Sequence, residues 1–210
     1  MDPPAVVAFD VNETLVSLAP LGELLPEGAL PLWFTRVLRD GFALTATGDP
    51  ASFADLARTH LRGLVDDPAT VLDAFRELDV YPDVAPAMEL LARAGVRMVT
   101  LTNGAAELSQ TLLGRAGLDG HIEHFLSADQ AGVWKPRPEP YHHAARVCGV
   151  EPAGVALVAV HSWDVHGAKR AGLTAGWCSR LEGRPVDGLQ PADVTGDDLV
   201  AVAEGLVALR

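Results

Sequence analysis

Apolar and polar positions fall into two regimes along the chain. Near the amino terminus an apolar run from Ala5 ends on Asp10, and a polar turn of Asn12, Glu13 and Thr14 follows at once. A short apolar run bounded by turn residues predicts a buried strand of a parallel sheet. From about Val16 to Tyr81 the pattern changes. Pro20, Pro26, Gly28 and Pro31 break the chain, after which helical spacing takes over. Leu32 to Ala46 reads as one helix. Ser52 can cap a second, in which Phe53, Leu56, Ala57, His60, Leu61 and Leu64 follow the i, i+3, i+4, i+7 rule. Asp67-Pro68 opens a third, because proline suits a first helical turn, with Val71, Leu72, Phe75 and Leu78 as its apolar stripe. No strand pattern interrupts these helices.

From Asp83 helices and strands alternate. Val84 to Ala94 reads as an amphipathic helix closed by Gly95, and Val96 to Leu101 as a buried strand ending in Thr102-Asn103-Gly104. A helix from Ala105 to Ala116 follows, then a short strand, Phe125 to Ser127, and a loop carrying Lys135 and Pro136. A helix from about Glu139 to Val147 precedes a strand at Val155 to Val160. Next come His161-Ser162-Trp163-Asp164, a short helix to Ala171, a strand at Thr174 to Cys178, and a closing helix from Asp197 to Leu209. Such alternation implies a parallel sheet with right-handed crossovers. The expected fold is α/β: a Rossmann-like parallel core of residues 1–15 and 82–210, with an all-helical cap subdomain inserted at residues 16–81.

Composition narrows the partners. A chain of 210 residues has room for one core domain with a sizeable insertion, or for two small domains. A formal charge of -12 argues against a nucleic-acid or acidic-membrane surface, both of which need clustered Lys and Arg. No apolar run approaches the roughly 20 residues needed to span a bilayer. Met-Asp-Pro-Pro lacks the basic and apolar regions of a signal peptide. Cys148 and Cys178 make no disulfide framework, and a reducing cytoplasm suits them. His142 and His143 point about 100° apart on a helix, and His121 and His124 lack a third ligand nearby, so no zinc site is expected.

In open α/β sheets, ligands bind just beyond the carboxyl ends of the strands. Asp10, Thr102-Asn103, Lys135 and Asp164 all fall at that edge. Each alone has a plainer explanation. Asp10 could cap a turn, Asn103-Gly104 could be a turn, Lys135 could be a solvated loop cation, and Asp164 could cap its helix. Together they supply a carboxylate nucleophile, a hydroxyl-amide pair, a cation and a second acid.

The whole chain resembles the haloacid dehalogenase superfamily, and within it the type II (L-2-haloacid) dehalogenase branch. Phe-Asp-Val-Asn-Glu-Thr-Leu is similar to its first motif, with Asp10 as nucleophile, and Val-Thr-Leu-Thr-Asn-Gly to its second, with Thr102 holding the substrate's negative group beside Asn103. Trp-Lys-Pro resembles the third, with Lys135. Ser-Trp-Asp-Val-His-Gly-Ala resembles the fourth, where Asp164 follows Trp163 as in the dehalogenases. The resemblance implies a Lys135 that keeps Asp10 ionised, an Asp164 that positions or deprotonates the hydrolytic water, and a cap that excludes bulk water. It also implies a homodimer.

Departures from the family decide between leaving groups. Its phosphatases carry a second Asp two residues after the nucleophile; here Asn12 stands there and cannot give up a proton. They also hold magnesium with an acid pair in the fourth motif, where Val160 replaces one acid and only Asp164 remains. Mg²⁺ leans on carboxylates, so no metal or other cofactor is expected beyond weak Mg²⁺ binding through Asp10 and Asp164. Both losses suit carbon-halogen displacement, which needs neither acid nor metal. Against a standard dehalogenase, Trp33 is followed by Phe34 rather than the Arg that helps receive the halide. Arg36 could reach the site from the next turn or could face solvent. His161 stands where the branch has Asn, Ala159 replaces a Ser, and Asn12 replaces a common aromatic residue. His161 is open to three readings: a site donor, an added base, or a packed loop histidine. Trp163 is either pocket wall or core. The expected activity is hydrolytic dehalogenation of a small anionic substrate, a short 2-haloalkanoic acid, through an aspartyl ester. The alternatives are a Mg²⁺-dependent phosphatase-type hydrolase and a retired member that binds a metabolite.

Overall fold

The computed structural model describes residues 3–49 and 51–209. Strands β1 (Val6–Phe9), β2 (Arg97–Thr102), β3 (His124–Ser127), β4 (Val155–Ala159), β5 (Thr174–Cys178) and β6 (Val194–Gly196) form one sheet in the order β3-β2-β1-β4-β5-β6. All its pairings are parallel. A sheet covered on both faces needs strands apolar on both faces, and Val6, Val7 and Ala8 are fully buried. β1 is central, with Val6 opposite Arg97 of β2 and Val155 of β4. The chain runs outward from β1 through β2 and β3, then crosses to the other side of β1 for β4. That reversal puts a crevice at the carboxyl end of β1. Asp10 lies there.

Between β1 and β2 the chain forms α1 (Ala29–Thr47), α2 (Phe53–Leu61) and α3 (Pro68–Ala74). The two connecting stems leave the sheet side by side: Val16 bridges Val80 in antiparallel fashion, and Tyr81 N donates to Leu15 O at 2.9 Å. Trp33 packs the three helices together, meeting the Phe75 ring at 6.0 Å and donating through Nε1 to Ala57 O at 3.2 Å. Ser52 and Asp67 cap α2 and α3, accepting from Asp55 N and Ala69 N. Pro31 does not break the chain as its position suggested. It lies in the first turn of α1, where a missing N–H costs nothing, and the helix begins at Ala29.

The apolar faces of these helices are continuous with one face of the sheet, in a single cluster that includes Phe9, Trp33, Phe53 and Val158. Trp134 fastens the joint. Its Nε1 donates to Ala51 O at 2.9 Å, its backbone N to Thr45 Oγ1 at 3.3 Å, and its ring lies against Gly41 of α1. The remaining helices are α4 (Val84–Arg93), α5 (Ala106–Arg115), α6 (Pro138–Val147), α7 (Ser162–Arg170) and α8 (Leu199–Val207). β6 has no counterpart in the sequence pattern. It is three residues long, and Gly196 lets it approach α8 so closely that a Cβ there would meet Val202 N at 2.8 Å. Among the described residues no helix is long and apolar enough to cross a membrane.

Candidate active site

Lys135 sits at the centre of the crevice, fully buried. Its Nζ donates to Asp10 Oδ1 at 3.0 Å, Asp164 Oδ2 at 2.5 Å and Leu101 O at 2.8 Å. An ammonium has three N–H donors, and three acceptors meet them. The lysine loop is held by a two-way clamp: Lys135 N donates to Asn103 Oδ1 at 2.9 Å, and Asn103 Nδ2 donates to Lys135 O at 3.2 Å. Asn103 therefore spends its amide on the lysine main chain while still lining the cavity. Thr102 Oγ1 accepts from Gly104 N at 2.9 Å, so its own hydroxyl hydrogen is free to point at a ligand.

The second oxygen of Asp10 accepts from Thr14 Oγ1 at 2.7 Å, and that hydroxyl accepts in turn from Val160 N at 3.2 Å. Asp164, in the first turn of α7, accepts on Oδ1 from Tyr141 OH at 2.6 Å. His161 Nε2 lies 2.9 Å from Glu13 Oε2, and its Nδ1 lies 3.3 Å from Asp10 Oδ2 without the alignment of a hydrogen bond. A narrow, nearly closed cavity of about 10 Å³ lies beside Asp10, lined by Asn12, Thr102, Asn103, His161 and Trp163 on the core side and by Phe34, Leu38 and Phe53 from α1 and α2.

Residues 4–172, from β1 through α7, match the haloacid dehalogenase-like hydrolase family. The chain belongs to that family. This hydrolase is 33% identical over 178 residues to (S)-2-haloacid dehalogenase 4A of Burkholderia cepacia, covering 82% of this chain and 75% of the relative. It is 30% identical over 192 residues to the (S)-2-haloacid dehalogenase of Xanthobacter autotrophicus, covering 83% and 75%. A solved L-2-haloacid dehalogenase from Xanthobacter autotrophicus superposes with a TM-score of 0.88 at 25% identity, covering 99% of this chain and 100% of the other.

Electrostatics in the hydrolase's crevice follow from burial against pairing. Burial alone would push the Asp10 carboxyl up, but the Lys135 charge, His161 and the Thr14 hydroxyl outweigh it and hold the group well below the usual carboxylate range. Asp164 goes the other way: burial and the nearby Asp10 charge oppose its ionisation more than Lys135 and Tyr141 favour it. Burial disfavours the charged form of Lys135, yet the two carboxylates raise its pKa above the ordinary value. The arrangement keeps one acid ionised and gives the other a raised proton affinity, the division a nucleophile and a general base require.

Of the residues singled out in the sequence, Asp10, Asn12, Thr102, Asn103, His161 and Trp163 line the cavity, and Lys135 and Asp164 sit directly beneath it. Trp163 is wall rather than core, stacking on His161 at 5.4 Å and meeting Phe42 of α1 edge-on at 5.0 Å. Arg36 is not brought in. Phe34 faces the cavity, and a residue two positions later on a helix points about 200° away, leaving Arg36 half-exposed. Arg39 reaches only the rim of the neighbouring surface groove and pairs with Asp40 at 2.6 Å.

Sequence reasoning missed Thr14, Glu13 and Tyr141 as site residues. Thr14 is four residues from Asp10, at the end of the turn already noted. Tyr141 follows Lys135 by six residues, on a helix whose first turn aims it back at Asp164. Gly167 of α7 leaves room for it, since a Cβ there would meet Tyr141 OH at 2.5 Å.

Proposed function

We propose that this hydrolase removes the halogen from a short 2-haloalkanoic acid, with Asp10 as nucleophile and no metal. An Asp10 carboxylate oxygen attacks C2 of the substrate, the carbon-halogen bond breaks, and the halide leaves with the bonding pair. Water then attacks Cγ of the resulting ester, giving a proton to Asp164. The 2-hydroxy acid departs with the oxygen that belonged to Asp10 and takes the second proton of the water on it, and the water oxygen remains in the Asp10 carboxylate. Thr102 and backbone N–H groups at the strand ends receive the substrate carboxylate, and Lys135 keeps Asp10 ionised.

The observation that carries this reading is the saturation of the two acids. Lys135, Thr14 and Tyr141 supply donors to all four oxygens of Asp10 and Asp164. The Lys135 ammonium sits between them, so Mg²⁺, which needs an octahedral oxygen shell, competes with it for both carboxylates and finds no second acid at Val160. Asn12 beside the nucleophile offers no proton to a leaving alcohol, whereas a halide leaves without one. The (S)-2-haloacid dehalogenases among the relatives support the same substrate class.

In this reading residues 16–81 act as a cap over the core of residues 1–15 and 82–210, with Phe34, Leu38 and Phe53 excluding bulk water from the ester. Two free, buried cysteines support a cytoplasmic setting, and family membership supports a homodimer. The test is single-turnover hydrolysis of 2-chloropropionate in ¹⁸O-water, followed by mass analysis of the peptide containing Asp10. Label in the Asp10 carboxylate is expected. Label found only in the product rules out the ester route, and magnesium-dependent phosphate release without halide release would favour a phosphatase.

A further inference from the structure

His161 and Glu13 form a pair that the steps above do not use. The histidine side chain is only 8% exposed, and each ring nitrogen faces a carboxylate. Glu13 takes Nε2 at 2.9 Å, while Nδ1 lies 3.3 Å from Asp10 Oδ2 and has no hydrogen-bond partner. A carboxylate only accepts. Glu13 therefore requires a proton on Nε2, and a neutral ring would turn its Nδ1 lone pair toward the nucleophile's oxygen. Only the imidazolium removes that repulsion, and it leaves at Nδ1 an N–H without a hydrogen-bond partner. Glu13 itself has a left-handed backbone (φ 63°), which a non-glycine residue adopts at a cost.

The surroundings of the ring say what its spare N–H can receive. His161 stacks on Trp163 and lies 6.4 Å from the Phe34 ring, on the apolar side of the cavity. Asn12, Thr102 and Asn103 line the cavity from the strand ends, where a carboxylate finds several donors. A departing halide is a single-centre, polarisable, weakly hydrated anion. One charged N–H among aromatic rings suits it better than it suits a carboxylate.

We propose that Glu13 is a positioning residue that holds His161 as a cation, and that His161 Nδ1–H receives the halide as it leaves C2. This rests on the displacement reading above. The pair fills the charge gap left by Phe34 on α1, with Arg36 turned away. Despite burial, the two carboxylates push the His161 pKa up to about 10, so the cation persists through neutral pH. The charged groups facing the ring are Asp10 from the end of β1 and Glu13 from the next turn; Phe34 from α1 and Trp163 from α7 do not titrate. Lys135 meets the other oxygen of the same Asp10 carboxylate and lies 5.8 Å from the centre of the Trp163 ring.

The experiment compares the full-length protein with Glu13→Gln and His161→Asn, using chloride release from 2-chloropropionate and bromide binding followed by quenching of tryptophan fluorescence. The Glu13→Gln side chain is isosteric and keeps a hydrogen bond while removing the charge. It is expected to lose tenfold or more in kcat at pH 9, with KM little changed, and to recover most of it at pH 6, where the imidazole is protonated again. The unsubstituted protein is expected to have similar kcat at both pH values. His161→Asn should lose tenfold or more at both. Bromide affinity should follow the same pattern. A Glu13→Gln variant whose kcat and bromide affinity match the unsubstituted protein at pH 9 overturns the pairing. If no haloacid is turned over at all, the displacement reading has failed. The bromide titration then still decides whether Glu13 and His161 build an anion site.

Discussion

Lys135 Nζ stands 3.0 Å from Asp10 Oδ1 although 125 residues separate them along the chain. The contact bridges the first strand and the loop after the third, and it sits where solvent cannot screen it. Removing one partner of a buried ion pair leaves the other charge uncompensated, at a cost of about 3–5 kcal/mol. Lys135→Met is therefore expected to lower unfolding free energy by about that much in urea titrations. It should also abolish halide release, because the charge that does most to oppose the burial of the Asp10 carboxyl is then gone. A variant with unchanged stability and turnover would mean that the lysine is a bystander.

Tyr141 gives Asp164 its second donor. Tyr141→Phe leaves a buried carboxylate oxygen without a partner, a loss of about 1–3 kcal/mol. The water-activating step should suffer more than ester formation. Rapid quenching at saturating 2-chloropropionate is expected to show a burst of chloride followed by a steady rate tenfold or more slower. Equal slowing of burst and steady phases would place Tyr141 outside the hydrolytic step.

Much of this arrangement was legible in the sequence, for reasons that differ by residue. Asp10, Thr102 and Asp164 follow strand patterns strong enough to place them at one sheet edge, because a buried parallel strand is apolar throughout and its end is abrupt. Ser52 and Asp67 announced their helices through capping chemistry. Tyr141 and Glu13 were not legible, since a tyrosine on an amphipathic helix and a glutamate in a turn carry no pattern of their own. Only the tertiary approach of Asp164 and His161 gives them a partner. Arg36 erred in the opposite direction. Its charge suggested a role that helical phase denies it. β6 was too short to show a period, and packing against α8 rather than propensity makes it a strand.

Gly41 couples the helical segment to the loop that carries Lys135. A Cβ at that position would fall 2.1 Å from Trp134 Cζ3, and Trp134 directly precedes Lys135. Gly41→Ala must shift α1 or the indole, and overpacking of this kind costs about 1–3 kcal/mol. The variant is expected to unfold at lower urea and to lose activity beyond the stability effect, as Lys135 moves with its neighbour. Full activity in the folded variant would show that the loop tolerates displacement of Trp134.

Metal removal separates two chemistries. With Lys135 between the acids and their oxygens already hydrogen-bonded, dialysis against a chelator is expected to leave halide release unchanged, and added Mg²⁺ to give no gain. A chelator-sensitive rate restored by magnesium would require one of those hydrogen bonds to open for an ion, and would return the phosphatase reading to the front.

The His161 pKa links stability to pH with a definite sign. Folding raises it from 6.5 to about 10, so the folded state binds the proton more tightly than the unfolded chain. The stabilisation is full below about pH 6.5 and is lost as pH rises from there through about 10, with a slope that can approach about 1.4 kcal/mol per pH unit. Urea unfolding at several pH values between 6 and 10 should therefore show the unsubstituted protein losing stability more steeply than His161→Asn, whatever their offset at pH 6. Removing the Glu13 charge should shallow the slope as well, because that carboxylate is one of the two that hold the proton. Parallel curves for all three proteins would mean that the ring is already neutral in the fold, and the Glu13 contact would then be an ordinary hydrogen bond.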